Sequence, residues 1–267
     1  LELVRRIPQK DPAEPVFQNW PLEVSFQERS AFSYEDFNSV PWQVRTPEDT
    51  SGRHNIVVDC LSPSIRGVHL KKALILPQNE YLSTLRVTLV NETSSPITVT
   101  DENGRGLILR WGPGLLERDF GQPDPNIAYD GALYRKEDGV YSVRPAPGKE
   151  PILADGHIEW AGVESKFFTA LIIPDQPDDA ARKQIYFVRT LVPARHDPAI
   201  KGFHPPLTLE LATSKFDVPA AGEVSIDYSL YVGPKKYEIL RKYGHSLQSL
   251  VFHNSYGVMR ALYLFLT

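Results

Sequence analysis

Apolar and polar residues alternate along most of this chain. In the stretch YLSTLRVTLVNETSSPITVT (81–100), Leu85, Val87 and Leu89 fall on one face of an extended strand, and Thr84, Arg86 and Thr88 on the other. A period of two is the mark of a half-buried strand. NETSSP reads as a turn and ITVT as the returning strand, so the segment predicts a β-hairpin. Similar signals occur at LEVSF (22–26), HNIVVDC (54–60), GLILRW (106–111), GVYSV (139–143), KQIYFVRTLV (183–192), LTLELAT (207–213) and EVSIDYSLYVG (223–233). HIEWAGVESKFFTALIIP (157–174) is apolar and β-branched toward its end. Ten to fourteen strands are expected, with long loops over 112–150 and an extended lead-in over 1–20.

The pattern changes at Gly233–Pro234. In PKKYEILRKYGHSLQSLVF, Tyr237, Leu240 and Arg241, then Leu247, Leu250 and Val251, recur at helical spacing. Pro234 suits a first helical turn, and Gly244 interrupts, so two short helices are expected. The last twelve residues, YGVMRALYLFLT, carry one charge, Arg260. Val258, Leu262, Phe265 and Leu266 form one stripe, with Met259 and Tyr263 beside it. Two readings stand side by side: an interfacial membrane helix, or a helix packed on the β domain. The expected organisation is a β domain over 1–232, a helical linker over 233–255 and an apolar segment over 256–267.

Composition narrows the choices. The 267 residues hold 23 Pro and 17 Gly, punctuation that favours short strands joined by turns over long helices. A net charge of −4 gives no basic excess of the kind that nucleic acid requires. Cys60 is the only cysteine, so a disulfide framework within the chain and a cysteine-based zinc site are both excluded. No uncharged apolar run is long enough to cross a membrane.

Candidate chemistry is sparse. The glycines of GRGLILRWGPG lead into a strand and lack the dinucleotide fingerprint. No GxSxG or HExxH occurs. His157 and Glu159, two apart on an expected strand, share a face, where they suit either a metal or proton-transfer site or a solvated strand edge. Asp175, Asp178 and Asp179 lack the spacing of a calcium loop and read as a solvated turn. Trp111 and Trp160 fit a sugar-stacking platform or, more simply, the core. No set of residues forms a catalytic site, and no metal or cofactor is expected.

Two blocks carry a resemblance. LYVGPKKYEIL followed by FHNSYGVMRAL, and WAGVESKFFTALIIP, resemble the periplasmic domain of the YidC/Oxa/Alb family of bacterial membrane protein insertases. YLSTLRVTLVNETSSPI and ALYRKEDG fall in family order, and the match spans roughly 65–267. The motif residues are Trp160, Phe167, Phe168, Pro174, Tyr231, Gly233, Pro234, Lys235, Tyr256 and Gly257. The resemblance departs at 1–55 and at His253-Asn254-Ser255. It implies an all-β fold, a β-supersandwich of two large twisted antiparallel sheets with short C-terminal α-helices. It also implies no enzymatic activity and a place at the bacterial inner membrane, facing the periplasm. One transmembrane helix would precede Leu1 and five would follow Thr267. The interfacial helix would begin near Tyr256, seated through Val258, Met259, Leu262, Tyr263, Phe265 and Leu266. Implied partners are SecDF, the SecYEG translocon and nascent inner-membrane proteins, and the isolated domain would be a monomer. The competing expectation is a secreted carbohydrate-binding or mutarotase-like β-sandwich with its site at His157, Glu159 and Trp160.

Overall fold

The structure, a computed structural model, describes residues 22–25, 37, 40–47, 55–111, 131–143, 153–165, 167–175, 185–191 and 208–252. The described strands are β1 (Glu23–Ser25), β2 (Gln43–Arg45), β3 (Ile56–Leu61), β4 (Val68–Leu76), β5 (Leu82–Asn91), β6 (Ile97–Val99), β7 (Arg105–Trp111) and β8 (Gly131–Lys136). They continue with β9 (Gly139–Val143), β10 (Leu153–Ile158), β11 (Trp160–Glu164), β12 (Phe168–Pro174), β13 (Ile185–Leu191), β14 (Thr208–Ser214), β15 (Phe216–Val218) and β16 (Gly222–Pro234). Helix α1 (Tyr237–Lys242) and a 3₁₀ turn (Leu247–Val251) follow.

The strands form a nine-stranded sheet in the order β2-β3-β4-β5-β16-β12-β11-β8-β9 and a five-stranded sheet in the order β1-β7-β14-β13-β10. All the pairings are antiparallel. A large all-β sandwich is therefore present, as expected. Its main core lies between the sheets: Leu70, Leu85, Val87, Leu89, Ile172, Ile226, Tyr228 and Leu230 from one side meet Leu107, Leu109, Leu209 and Leu211 from the other. Each such side chain contributes roughly 1.5–3 kcal/mol by leaving water.

Alternation along β16 explains a third layer. Ile226, Tyr228 and Leu230 face the inter-sheet core, whereas Tyr231 points the opposite way. There it joins Leu133, Trp160, Leu171 and Ile173 on the outer face of the nine-stranded sheet. Leu240, Leu247 and Leu250 of α1 and the 3₁₀ turn cover that face. Gly244 (φ +73°), His245 (φ +50°) and Ser246 (φ +54°) reverse the chain between the two helical pieces. The left-handed conformation suits Gly244 as the residue that ends α1.

Several expectations are corrected. Ile97–Val99 does not return along β5; it pairs with β15, while β5 pairs with β4 and β16. The chain does bend at 93–95, but it leads into a separate two-stranded ribbon. Pro234 closes β16, opposite Phe168, and α1 begins three residues later. A proline at a strand end loses no ladder hydrogen bond that the strand needs. Residues 131–136, expected as loop, form β8.

Candidate functional site: the strand-to-helix junction

Of the motif residues, Phe167, Phe168, Tyr231, Gly233, Pro234 and Lys235 lie where β16 ends and α1 begins. Strand register sets Phe168 opposite Pro234, Thr169 opposite Gly233 and Leu171 opposite Tyr231. The Tyr231 hydroxyl donates to the Pro234 carbonyl at 2.7 Å, closing the strand end on itself. The Lys235 amide donates to the Phe167 carbonyl at 2.8 Å, which ties the chain to the β11–β12 turn. Lys235 Nζ reaches Glu164 Oε2 at 2.7 Å, with both side chains largely buried. Ser142 Oγ donates to the other Glu164 oxygen at 3.5 Å. A buried pair of this kind persists because its remaining lone pairs are met.

Three tyrosines and a glutamate hold the other side. Tyr231 lies between Tyr81 and Tyr243, at ring-centroid distances of 6.3 and 5.6 Å. Burial, with Tyr243 and Tyr81 close by, pushes the Tyr231 phenol well above its ordinary value, so it stays a donor. Tyr243 donates to Glu80, and Lys242 Nζ lies 2.8 Å from each Glu80 oxygen. These hydrogen bonds hold the Glu80 carboxyl below the usual glutamate range. The Tyr81 amide donates to the Tyr243 hydroxyl at 3.1 Å. Gly233 is required here, since a Cβ would come within 2.7 Å of the Tyr81 ring and 3.0 Å of the Tyr231 hydroxyl.

Trp160, Phe167, Phe168, Pro174, Tyr231, Gly233, Pro234 and Lys235 are therefore brought to one sheet and its edge with α1, Pro174 at the far end of β12. Tyr256, Gly257 and the stripe Val258, Met259, Leu262, Tyr263, Phe265 and Leu266 lie outside the described residues. Glu80, Glu164 and Tyr243 complete the junction and were missed from sequence. Glu164 and Lys235 stand 71 positions apart, with no local spacing that links them.

The carbohydrate site is not assembled. Trp160 is fully buried, and its indole N–H donates to the His245 carbonyl, so neither ring face is open to a sugar. His157 belongs to β10 of the five-stranded sheet, while Glu159 sits in the break before β11 and pairs with Arg135 at 2.7 Å. The bend between strands defeats the shared face that a continuous strand would have given. Trp111 is partly buried against the main core. Asp175 accepts from Ser229, and Asp178 and Asp179 lie outside the described residues. A polar groove of about 440 Å³ runs between the β8–β9 turn and the helical segment, lined by Arg135, Asp138, Tyr237, Gln248 and Phe252. The Arg135–Glu159 pair neutralises its one arginine. Among the described residues no group of His, Cys, Asp and Glu could hold a metal ion, and no helix is long and apolar enough to cross a membrane.

Comparison with solved structures finds distant likenesses. The chain is similar to an α-galactosidase from Lactobacillus brevis at 9% identity and a TM-score of 0.44, over 84% of this chain and 30% of that one. It thus spans about a third of that enzyme's length. It is also similar to a galactose mutarotase-like protein from Clostridium acetobutylicum, at 12% identity and a TM-score of 0.41, over 72% of this chain and 66% of that one. Comparison with curated protein sequences gives no match. The profile of the YidC periplasmic domain, by contrast, matches residues 27–266, which include every described strand but β1, the junction and the helical layer. The chain belongs to the YidC periplasmic domain family, which is not an enzyme family.

Proposed function

We propose that this chain is the large periplasmic domain of an inner-membrane insertase and acts as an accessory module that binds partners or clients. In this reading the insertase works alone or beside the SecYEG translocon, SecDF is the first partner to test, and nascent inner-membrane proteins are the clients. The chemistry of insertion, lowering the cost of carrying polar groups through hydrocarbon, belongs to the family's membrane-embedded core. The β domain's task is mechanical and recognitional.

One observation carries the reading. The chain does not leave the sandwich through a loose linker; Leu240, Leu247 and Leu250 pack it onto the outer face of the nine-stranded sheet, and the Lys235–Glu164 pair anchors the first turn. Whatever follows Val251 starts from a position set by the β body, which suits a domain that must be held relative to a membrane surface. The stripe of Val258, Met259, Leu262, Tyr263, Phe265 and Leu266 is the proposed membrane contact.

Vesicle flotation tests this. The chain should float with vesicles containing phosphatidylglycerol, and Leu262→Glu together with Phe265→Glu should abolish it. Unchanged flotation of the double variant would remove the terminal segment from the membrane contact. Site-directed photo-crosslinking in the intact membrane protein should then capture SecDF. Failure at every exposed position of the domain would sink the partner assignment.

A further inference from the structure

A second apolar surface lies at the end of the nine-stranded sheet, away from the terminal segment in sequence. Phe167 and Phe168 are 59% and 50% exposed, and Val232 is 47% exposed. Register makes them neighbours. Phe168 pairs with Pro234 and Ala170 with Val232, so Phe168 and Val232 are diagonal partners on one sheet face. The Val232 amide donates to the Tyr81 carbonyl at 2.9 Å. The face is the one that carries Ala170, Ile172 and Leu230 into the main core. The inner face thus runs on past the inter-sheet core, and the side chains at its end stay in contact with water.

The surrounding charge selects the occupant. Lys235 is matched by Glu164 and Lys242 by Glu80, and among the described residues Lys236, next to Lys235 in the chain, has no ion-pair partner. Lys166 directly precedes the phenylalanines in the sequence Ser165-Lys166-Phe167-Phe168. The whole chain is acidic, at −4, so this local cationic and aromatic end stands apart from the rest of the molecule. Aromatic rings beside lysines are the composition of a membrane–water interface anchor: rings enter the headgroup layer while ammonium groups meet anionic lipid. Strand pairing, the Ser165–Phe168 hydrogen bonds and the bond from the Lys235 amide to the Phe167 carbonyl satisfy the described backbone groups they join, which lowers the cost of approaching lipid.

We infer that the β11–β12 turn, with Phe167, Phe168 and Val232, is a second membrane contact that seats the β domain on an anionic bilayer surface. It rests on the reading of the chain as a membrane-associated domain, and it adds a second contact to the one proposed at the terminal segment. A second contact removes one of the two rocking motions that a single contact leaves to a rigid body on a plane.

The test uses environment-sensitive fluorophores attached to single cysteines in the full chain carrying Cys60→Ser. Phe167→Cys and Val232→Cys report on the turn, Leu262→Cys on the terminal segment, and Val44→Cys, equally exposed on β2, on nonspecific adsorption. With phosphatidylglycerol vesicles, the labels at 167 and 232 should shift to the blue and brighten about twofold or more, as expected on entering an interfacial layer. The label at 44 should not change, and phosphatidylcholine vesicles should produce little response. A response at 262 without one at 167 and 232 overturns this inference and leaves the terminal contact standing. Silence at all three positions overturns both. An equal response at 44 shows general adsorption, and equal responses to both lipids overturn the charge assignment; either result sinks the proposal as stated.

Discussion

The indole N–H of Trp160 donates to the backbone carbonyl of His245 at 3.1 Å, joining the first residue of β11 to the tight reversal between α1 and the 3₁₀ turn. His245 and Ser246 both hold left-handed backbone there, a conformation that non-glycine residues adopt only when neighbours impose it. Trp160→Phe should lower stability by about 1–3 kcal/mol by leaving a buried carbonyl unmet, and Trp160→Ala by about 3–5 kcal/mol. Urea unfolding measures both. An unchanged midpoint for the alanine variant would show that the helical layer is not part of the cooperative unit.

The Lys235–Glu164 pair gives an asymmetric expectation. Lys235→Met alone should cost about 3 kcal/mol, because Glu164 is left buried and without its partner charge. The double change Lys235→Met with Glu164→Leu should recover most of that loss, since an apolar pair avoids desolvating two charges. A double-mutant cycle reads the coupling directly, and additive single effects would contradict it.

Gly162 sits where β11 passes β12. A Cβ there would lie 1.9 Å from the Ala170 carbonyl oxygen and 2.8 Å from the Leu171 Cα, contacts with backbone that no side-chain motion relieves. Gly162→Ala should therefore destabilise by more than about 4 kcal/mol or prevent folding. A near-normal thermal midpoint would mean that the β11–β12 ladder can be displaced without harm.

Glu80 supplies a pH signature. Its carboxyl is held low by hydrogen bonds from Lys242 and Tyr243, so folding favours the ionised form. The contribution is full above the ordinary glutamate pKa and is lost as pH falls through the lowered folded value. Thermal midpoints of the native chain and Glu80→Gln should differ at neutral pH and converge in acid. A gap that widens in acid would have the wrong sign.

Cys60 faces the sandwich interior from β3, and burial raises its thiol above the ordinary value, against the opposing pull of Lys72. Less thiolate means slower alkylation. Iodoacetamide should modify the folded chain at least about tenfold more slowly than the unfolded chain at pH 8. Equal rates would place the thiol in open solvent.

Much of this molecule could be read from its sequence, and the boundary of legibility has a physical cause. Alternation placed Leu85, Val87 and Leu89 on one face, and all three are buried. Helical spacing marked Leu240, Leu247 and Leu250, and they form the layer over Trp160. Gly244 marked the break, and it is left-handed. These are local properties, set by the period of the backbone and the torsional freedom of single residues. Strand partners are not local. The edges of every strand offer the same amide and carbonyl groups, so nothing within 81–100 says that β5 will pair with β16, where Thr88 meets Ser225 137 positions away, while Ile97–Val99 goes to β15. Nor can a tryptophan beside apolar neighbours declare whether it will be a sugar platform or a closed core; the helical layer that returns over Trp160 decided that. Sequence determined the elements, their faces and, through its motifs, the family. The tertiary structure alone decided which elements touch, because only the folded chain brings Glu164 to Lys235 and leaves Phe167 and Phe168 beyond the core.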